Sequence, residues 1–440
     1  MSSPAVARRA RGNHGGTDRP QRAATFAAFV SHGLLFASWT AHIPQVKDHL
    51  GLSDAGLGFA LLGAPLGSVM SMLVVARLLP RLGSQRMVQV SLLGYCVAGP
   101  LVGLAGSFGV LFAALFAWGA FQGAMDVSMN TQAVTVELAD GRPLMSGFHA
   151  SWSIGAFAGA GIGALGVAAG ISLTPQLVLL ALPVLAVTGP LSLRMLPDPH
   201  MLPNPSTLPD LSTRADPSAR ADPSMLPDPS TPGSPKAVGR TVVGLSGPMV
   251  VLGAIAFACM LCEGASADWA SVYLRGSVGV SAAVAGLGYT AFSLAMVIVR
   301  LSGNRLLTRF RARKLLPVLA AVATAGFTAG LLGGASVTVV AGFACLGVGL
   351  ALVIPTVNSA AGRLPGLSQG TAIAMVSACG WAGFVFGPPI IGELASASSL
   401  TAALGVLPVL TACILVATAR ARALRPGSPD AAREAAASAP

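Results

Sequence analysis

Charge is scarce in this chain. Only 10% of its 440 residues are Asp, Glu, Lys or Arg, where a soluble domain carries about 25%. So few charges cannot cover a water-facing surface, and 53% of the residues are hydrophobic. A single soluble globular domain is excluded, as are a disordered and a collagen-like chain. Lipid is the main solvent that remains. The 53 glycines and the Ala-rich runs fit membrane helices, where small residues let backbones approach closely.

Cysteine is also sparse. Cys96, Cys259, Cys262, Cys345, Cys379 and Cys413 all fall in apolar runs, so packing is expected of them rather than disulfides. Cys259-Met-Leu-Cys262 has metal spacing but lies inside a span without further ligands, so no metal site is expected. No nucleotide-binding loop, hydrolase elbow or zinc motif is present. No nucleophile–base constellation points to an enzyme, and no cofactor is expected. The net charge of +11 does not form one basic face, so nucleic acid is not an expected partner.

What is there is a series of apolar runs of membrane-spanning length, about 20 residues each. They lie near 23–44, 55–76, 86–106, 109–134, 143–167, 173–193, 247–272, 280–301, 315–334, 336–361, 370–394 and 399–419, which makes twelve spans. No cleavable signal precedes them. Basic residues set the orientation. With the N-terminus inside, only Lys47 and Arg275 of the 27 basic residues fall on the outer side. Both termini are therefore expected in the cytoplasm, and the chain in the cell membrane. Residues 194–246 repeat Leu-Pro-Asp-Pro and Ala-Asp-Pro-Ser and cannot form a core, which predicts a disordered cytoplasmic linker. The expected division is a tail at 1–22, a six-helix half at 23–193, the linker, a second half at 247–419 and a tail at 420–440.

The halves repeat each other. Arg77-Leu-Leu-Pro-Arg81 recurs as Arg305-Leu-Leu-Thr-Arg309, an offset of 228. Asn130 pairs with Asn358, Gly155 with Gly383 and Gly159 with Gly387 at the same offset. Six spans return the chain to its starting side, so the repeats are parallel, and a site is expected at the midplane between them.

Specific residues carry a resemblance. Arg81-Leu-Gly83-Ser-Gln-Arg86 and Arg309-Phe-Arg311-Ala-Arg-Lys314 resemble the loop motif of the major facilitator superfamily, with Pro80 and Thr308 where the family usually has an acid. Asp126-Val-Ser-Met-Asn130 through Glu137, Gly147-Phe-His149-Ala-Ser-Trp152, Glu263-Gly-Ala-Ser-Ala-Asp268-Trp269 and Gly387-Pro-Pro-Ile-Ile-Gly392 resemble the MosC-like subgroup. Asp126 and Asn130, four apart on span 4, are more weakly similar to the fucose–proton symporter family. The resemblance implies an all-α membrane protein of the major facilitator fold, with twelve transmembrane helices in two parallel six-helix halves. It implies an inner-membrane transporter for a sugar-like or polyol-like solute, coupled to protons, with Arg81, Gly83, Arg86 and Arg309 in gating loops.

A carboxylate inside a span costs roughly 2.5–3.5 kcal/mol on insertion scales, so it needs a cavity, a partner or a proton. Asp126 and Glu263 lie well inside spans. Gln122, Asp126 and Asn130 follow each other at four-residue steps and share one helix face. Asp126, His149 and Glu263 are the expected proton-coupling residues, with Asp126 and His149 at similar depth and able to share a proton. Glu263 also has a fixed ion pair open to it, for instance with Arg275. Gln122, Asn130, Trp152, Asn358, Trp381 and His32 are the expected cargo contacts, the tryptophans as stacking faces for a ring. Trp39 and Trp269, at outer helix ends, read as interfacial anchors. The expected partners are the bilayer and a small solute, the driving force is the proton gradient, and a monomer is expected. Two other readings stay open: a proton-driven exporter of amphiphiles, and a sensor or assembly protein that kept the fold without transporting.

Overall fold

The computed structural model describes residues 19–140, 144–197, 247–361, 363–364 and 369–420. Both tails beyond these bounds, most of the linker and Gly141-Arg142-Pro143 lie outside the described residues. Every regular element among the described residues is helical. The spans are α1 (Arg19–Ser38), α2 (Asp54–Leu61 and Gly63–Leu82), α3 (Ser84–Val102), α4 (Phe108–Asp140), α5 (Met145–Ala168) and α6 (Leu173–Ser192). The second half holds α7 (Gly247–Gly276), α8 (Ala282–Ala285 and Leu287–Arg309), α9 (Ala312–Gly333), α10 (Ser336–Leu350 and Val353–Ala361), α11 (Gln369–Ala397) and α12 (Leu400–Leu404 and Val406–Arg420). A further short helix, Ile43–Leu50, follows α1.

Eleven of the twelve regions are long and apolar enough to cross a membrane unaided. The twelfth, α3, has 19 residues, and Gln85, Arg86 and Gln89 make its first turns polar. Several helices outrun the hydrophobic stretches that announce them. Span 4 continues to Asp140 and span 8 to Arg309, because polar residues extend a helix into water as readily as apolar ones do.

The two halves repeat in packing as in sequence. α1 packs on α5 and α6, α2 on α4, and α3 on α4 and α6; α7 packs on α11 and α12, α8 on α10, and α9 on α10 and α12. Glycine makes the closest of these contacts. A Cβ on Gly155 or Gly159 of α5 would strike the Val30 or Leu34 carbonyl of α1, and one on Gly383 of α11 would strike Phe257 O of α7. Small residues at four-residue spacing thus let backbones touch, as expected in lipid.

Prolines divide two spans. Pro65 follows the break in α2 at Leu62, and Pro355 follows the break in α10. Proline lacks the N–H that would reach the carbonyl four residues back. For Pro355 that carbonyl is Ala351 O, and the Arg300 Nε–H of α8 donates to it at 3.3 Å.

The halves meet along α2 with α11 and α5 with α8. At the end away from the linker they are tightly joined. The Ala55 N–H of α2 donates to Ser396 Oγ of α11 at 2.8 Å, and Ser271 Oγ of α7 donates to Thr40 O at 2.6 Å. Arg275 Nε lies 3.5 Å from Asp48 Oδ2. Along α2 the contact with α11 is concentrated in Asp54–Leu61 and thins over Gly63–Leu82.

Candidate functional site

A cavity of about 270 Å³ lies between the halves. Its walls come from α1, α2, α4 and α5 on one side and α7, α8, α10 and α11 on the other. The outer helices α3, α6, α9 and α12 contribute nothing to it. Of the expected site residues, His32, Gln122, Asp126, His149, Trp152, Glu263, Asn358 and Trp381 all line it. Among these, residues up to 349 positions apart in the chain are thereby brought to one space (His32 and Trp381). The cavity is closed at the end away from the linker by the α2–α11 contact, and His149 is exposed on its wall.

The charged groups are arranged differently from the expected pairings. Arg275 engages Asp48, and Glu263 engages Arg300 instead: Arg300 Nη2 lies 3.7 Å from Glu263 Oε1. Arg300 Nη1 also donates to Ser153 Oγ of α5 at 2.8 Å, so one guanidinium joins both halves and the broken rung of α10. Arg300 is the residue that sequence reasoning missed. Hydropathy ends span 8 at residue 301, so Arg300 sits at the very end of the expected span and has no expected role there. The helix in fact continues eight residues further, to Arg309.

Asp126 has no cation within ion-pair distance among the described residues. Its Oδ1 accepts from Asn130 Nδ2 at 3.2 Å, and Asn130 also donates to Asp126 O at 2.8 Å. The direct Asp126–His149 bond is not formed. The His149 ring instead stands edge-on to Phe29, centroids 5.5 Å apart. Nor is Asn130 on the central cavity. It faces an adjoining cleft of about 820 Å³ between α2, α4 and α11, which shares Asp126, Ser377 and Trp381 with the central space. Its repeat mate Asn358 does face the central cavity, and its buried Oδ1 has no hydrogen-bond partner.

The imidazole of His32 is fully committed. Trp152 Nε1–H donates to His32 Nδ1 at 2.7 Å, which leaves Nε2–H to donate to Gln122 O at 3.2 Å. This network assigns the neutral Nε2–H tautomer. His32, 4% exposed, therefore presents little surface to the space and holds the Trp152 ring in place on its wall. In front, the Phe36 ring lies 6.2 Å from Trp152 and 6.4 Å from Phe384, which is edge-on to Trp381 at 5.8 Å. Four aromatic rings thus form a panel across the two halves. Phe36 and Phe384 carry no polar atom or local motif that marks them in sequence.

Other expectations are corrected or placed. Trp39 and Trp269 are 3% and 0% exposed, so they are core residues and not interfacial anchors. Trp39 packs edge-on to Trp118 at 6.3 Å, where a ring can bury far more surface than at a lipid boundary. Cys259 and Cys262 are buried, and no group of three or more potential metal ligands occurs among the described residues. Arg81, Arg86 and Arg309 are exposed at the linker-side end. Gly83, between α2 and α3, has φ 78°, which a side chain would disfavour. Glu137 Oε2 accepts the Leu144 and Met145 N–H groups at 2.6 and 2.7 Å, placing an anion at the start of α5.

Comparison with known proteins agrees with this architecture. Residues 24–265 and 251–439 match the Major Facilitator Superfamily. An uncharacterised MFS-type transporter of Yersinia pestis is 31% identical over 411 residues, covering 92% of this chain and 96% of that protein. Membrane protein MosC of Rhizobium meliloti is 30% identical over 391 residues, covering 89% and 87%. The solved D-xylose-proton symporter superposes with a TM-score of 0.69 over 92% of this chain and 97% of that one, at 12% identity, which is a likeness of fold. A match that runs through both halves, and relatives aligned along nearly the whole length, lead to one assignment: the chain belongs to the Major Facilitator Superfamily and is a multi-pass membrane transporter rather than an enzyme.

Proposed function

We propose that this protein is a secondary active transporter that carries a small polar, sugar-like or polyol-like solute through the central cavity, coupled to protons. The observation that carries the reading is Asp126, a membrane-embedded carboxyl on the cavity wall with an amide as its neighbour and, among the described residues, no cation within ion-pair distance. A carboxyl held in the low-dielectric span can exchange a proton as water reaches and leaves it, which is what a proton carrier needs. The space is just under the range of about 300–1,000 Å³ for drug-sized ligands, so a small cargo suits it. The panel of Phe36, Trp152, Trp381 and Phe384 offers ring faces for stacking. His149 and Glu263 serve as accessory proton sites, and Gln122 and Asn358 as cargo contacts. With both termini in the cytoplasm of a bacterial cell membrane, the closed end faces outward and the cavity opens inward. Arg81, Gly83, Arg86 and Arg309 then lie where the inner ends close in the other half of the cycle.

The test is ligand-induced thermal stabilisation of the purified protein, with sugars and polyols at pH 6 and pH 8, followed by uptake of each stabilising compound into proteoliposomes. Asp126→Asn is expected to abolish accumulation driven by a proton gradient while sparing exchange. Gradient-driven accumulation that survives in the variant removes Asp126 from the coupling role. A second reading is favoured by the adjoining cleft, whose apolar wall includes the exposed Leu73, Val134 and Phe386. Stabilisation by amphiphiles alone would make export of such compounds the function.

A further inference from the structure

Asp268 is a buried acid that neither the fold nor the proposed proton path uses. It lies on α7, lines the central cavity and is 9% exposed. It makes no hydrogen bond or ion pair among the described residues. Glu263, five residues earlier on the same helix, has both Arg300 and the Cys259 thiol beside it. The five-residue step sets Asp268 about 7.5 Å further along the axis, toward the closed end. Arg300 is the one permanent cation among the described lining residues, and it is already shared by Glu263, Ser153 and Ala351 O. The cavity therefore holds three carboxyl groups against one guanidinium.

A buried carboxylate without a partner is costly, and well-packed proteins supply a cation or several donors. Here the protein supplies neither, and the group faces space that a solute can fill. We infer that the cargo bears a protonated amine and that Asp268 is its counter-ion at the closed end of the cavity. This rests on the reading of the cavity as the cargo site. Trp39 and Phe36 line the same space, and aromatic faces attract an ammonium group. The inference narrows the cargo from small polar solutes in general to amino-substituted ones.

The test uses matched pairs that differ in one group, glucosamine with glucose and ethanolamine with ethylene glycol. Dissociation constants are measured on the full-length protein in detergent by tryptophan fluorescence. A charge-assisted contact predicts that the amine of at least one pair binds about tenfold tighter or more than its alcohol. That advantage is lost in Asp268→Asn and kept in Asp268→Glu. Equal binding within each pair, or tighter binding of the alcohols, overturns the charge assignment while leaving the cavity as the cargo site. An advantage that persists in Asp268→Asn overturns the role of Asp268. Absence of saturable binding by all four compounds overturns the inference, and proton-driven uptake with and without Asp126→Asn then decides separately on the transport reading. The wild-type comparison does not depend on any variant folding.

Discussion

Closure of the end away from the linker depends on two glycines. A Cβ built on Gly58 of α2 would lie 2.5 Å from Pro388 O and 3.2 Å from the Gly392 Cα of α11. One built on Gly392 would lie 2.6 Å from Asp54 O and 3.1 Å from the Gly58 Cα. Ordinary contact begins near 3.4 Å, so a methyl group forces the two helices apart by close to an ångström. Overpacking of this kind costs about 1–3 kcal/mol. The methyl also gains about 1 kcal/mol of helix propensity, but in every conformation alike, so the gain cancels in the balance between conformations. A shift of about 1–3 kcal/mol moves that balance roughly 5- to 150-fold. Spin labels at Ser53 and Ser398, both exposed and on opposite halves, report it in a background with the six native cysteines replaced. Wild-type protein is expected to give one short distance. Gly58→Ala is expected to add a longer one, and Gly58→Val to make it dominant. An unchanged distance distribution in both variants would refute the claim that backbone contact at these glycines holds this end shut.

Other consequences are testable in the same preparation. Arg300→Gln leaves Glu263 and Ala351 O without their donor and is expected to destabilise the protein by about 3–5 kcal/mol. Adding Glu263→Gln should restore part of that loss, with a coupling of about 0.5–3 kcal/mol in detergent unfolding; strict additivity would deny the interaction. Trp152→Phe keeps a ring on the panel but leaves His32 Nδ1 unbonded, an expected loss of about 1–3 kcal/mol, read as a lowered Tm. Deleting residues 198–234 is expected to leave uptake intact, as a tether allows; loss of uptake with normal membrane levels would give the linker a further role.

The fold was legible because lipid writes it coarsely. Apolar runs of fixed length, basic residues on one side and an offset of 228 between copies all survive without any tertiary detail. The same coarse code found Asp126 and Glu263, since acids in apolar runs stand out. It failed where packing decides. The partner of Glu263 was hidden because helix length beyond the hydrocarbon does not register in hydropathy, so Arg300 stood at the edge of its expected span rather than within it. Asn130 and Asn358 are equivalent in the repeat, yet one faces the side cleft and the other the central cavity. Equivalence in the repeat cannot foresee that, because which space each faces depends on how the two halves pack. Trp39 and Trp269 show a related failure: position at a helix end suggests an interface, and only the neighbouring half reveals burial. Phe36 and Phe384 were invisible among 17 phenylalanines until the panel assembled.

The polar start of α3 bears on how the protein is made. Gln85 Nε2 donates to Ser192 O and Leu193 O at the end of α6, at 3.1 and 3.0 Å. Ser84 Oγ accepts from Gln132 Nε2 of α4 at 2.7 Å. Those partners emerge from the ribosome about a hundred residues after Gln85 in the first case and about fifty after Ser84 in the second. Until they arrive, α3 is the segment least able to partition into lipid on its own. Insertion of α3 is therefore expected to depend on the arrival of α4 and α6, and a nascent chain halted before residue 192 should hold this one span unsettled.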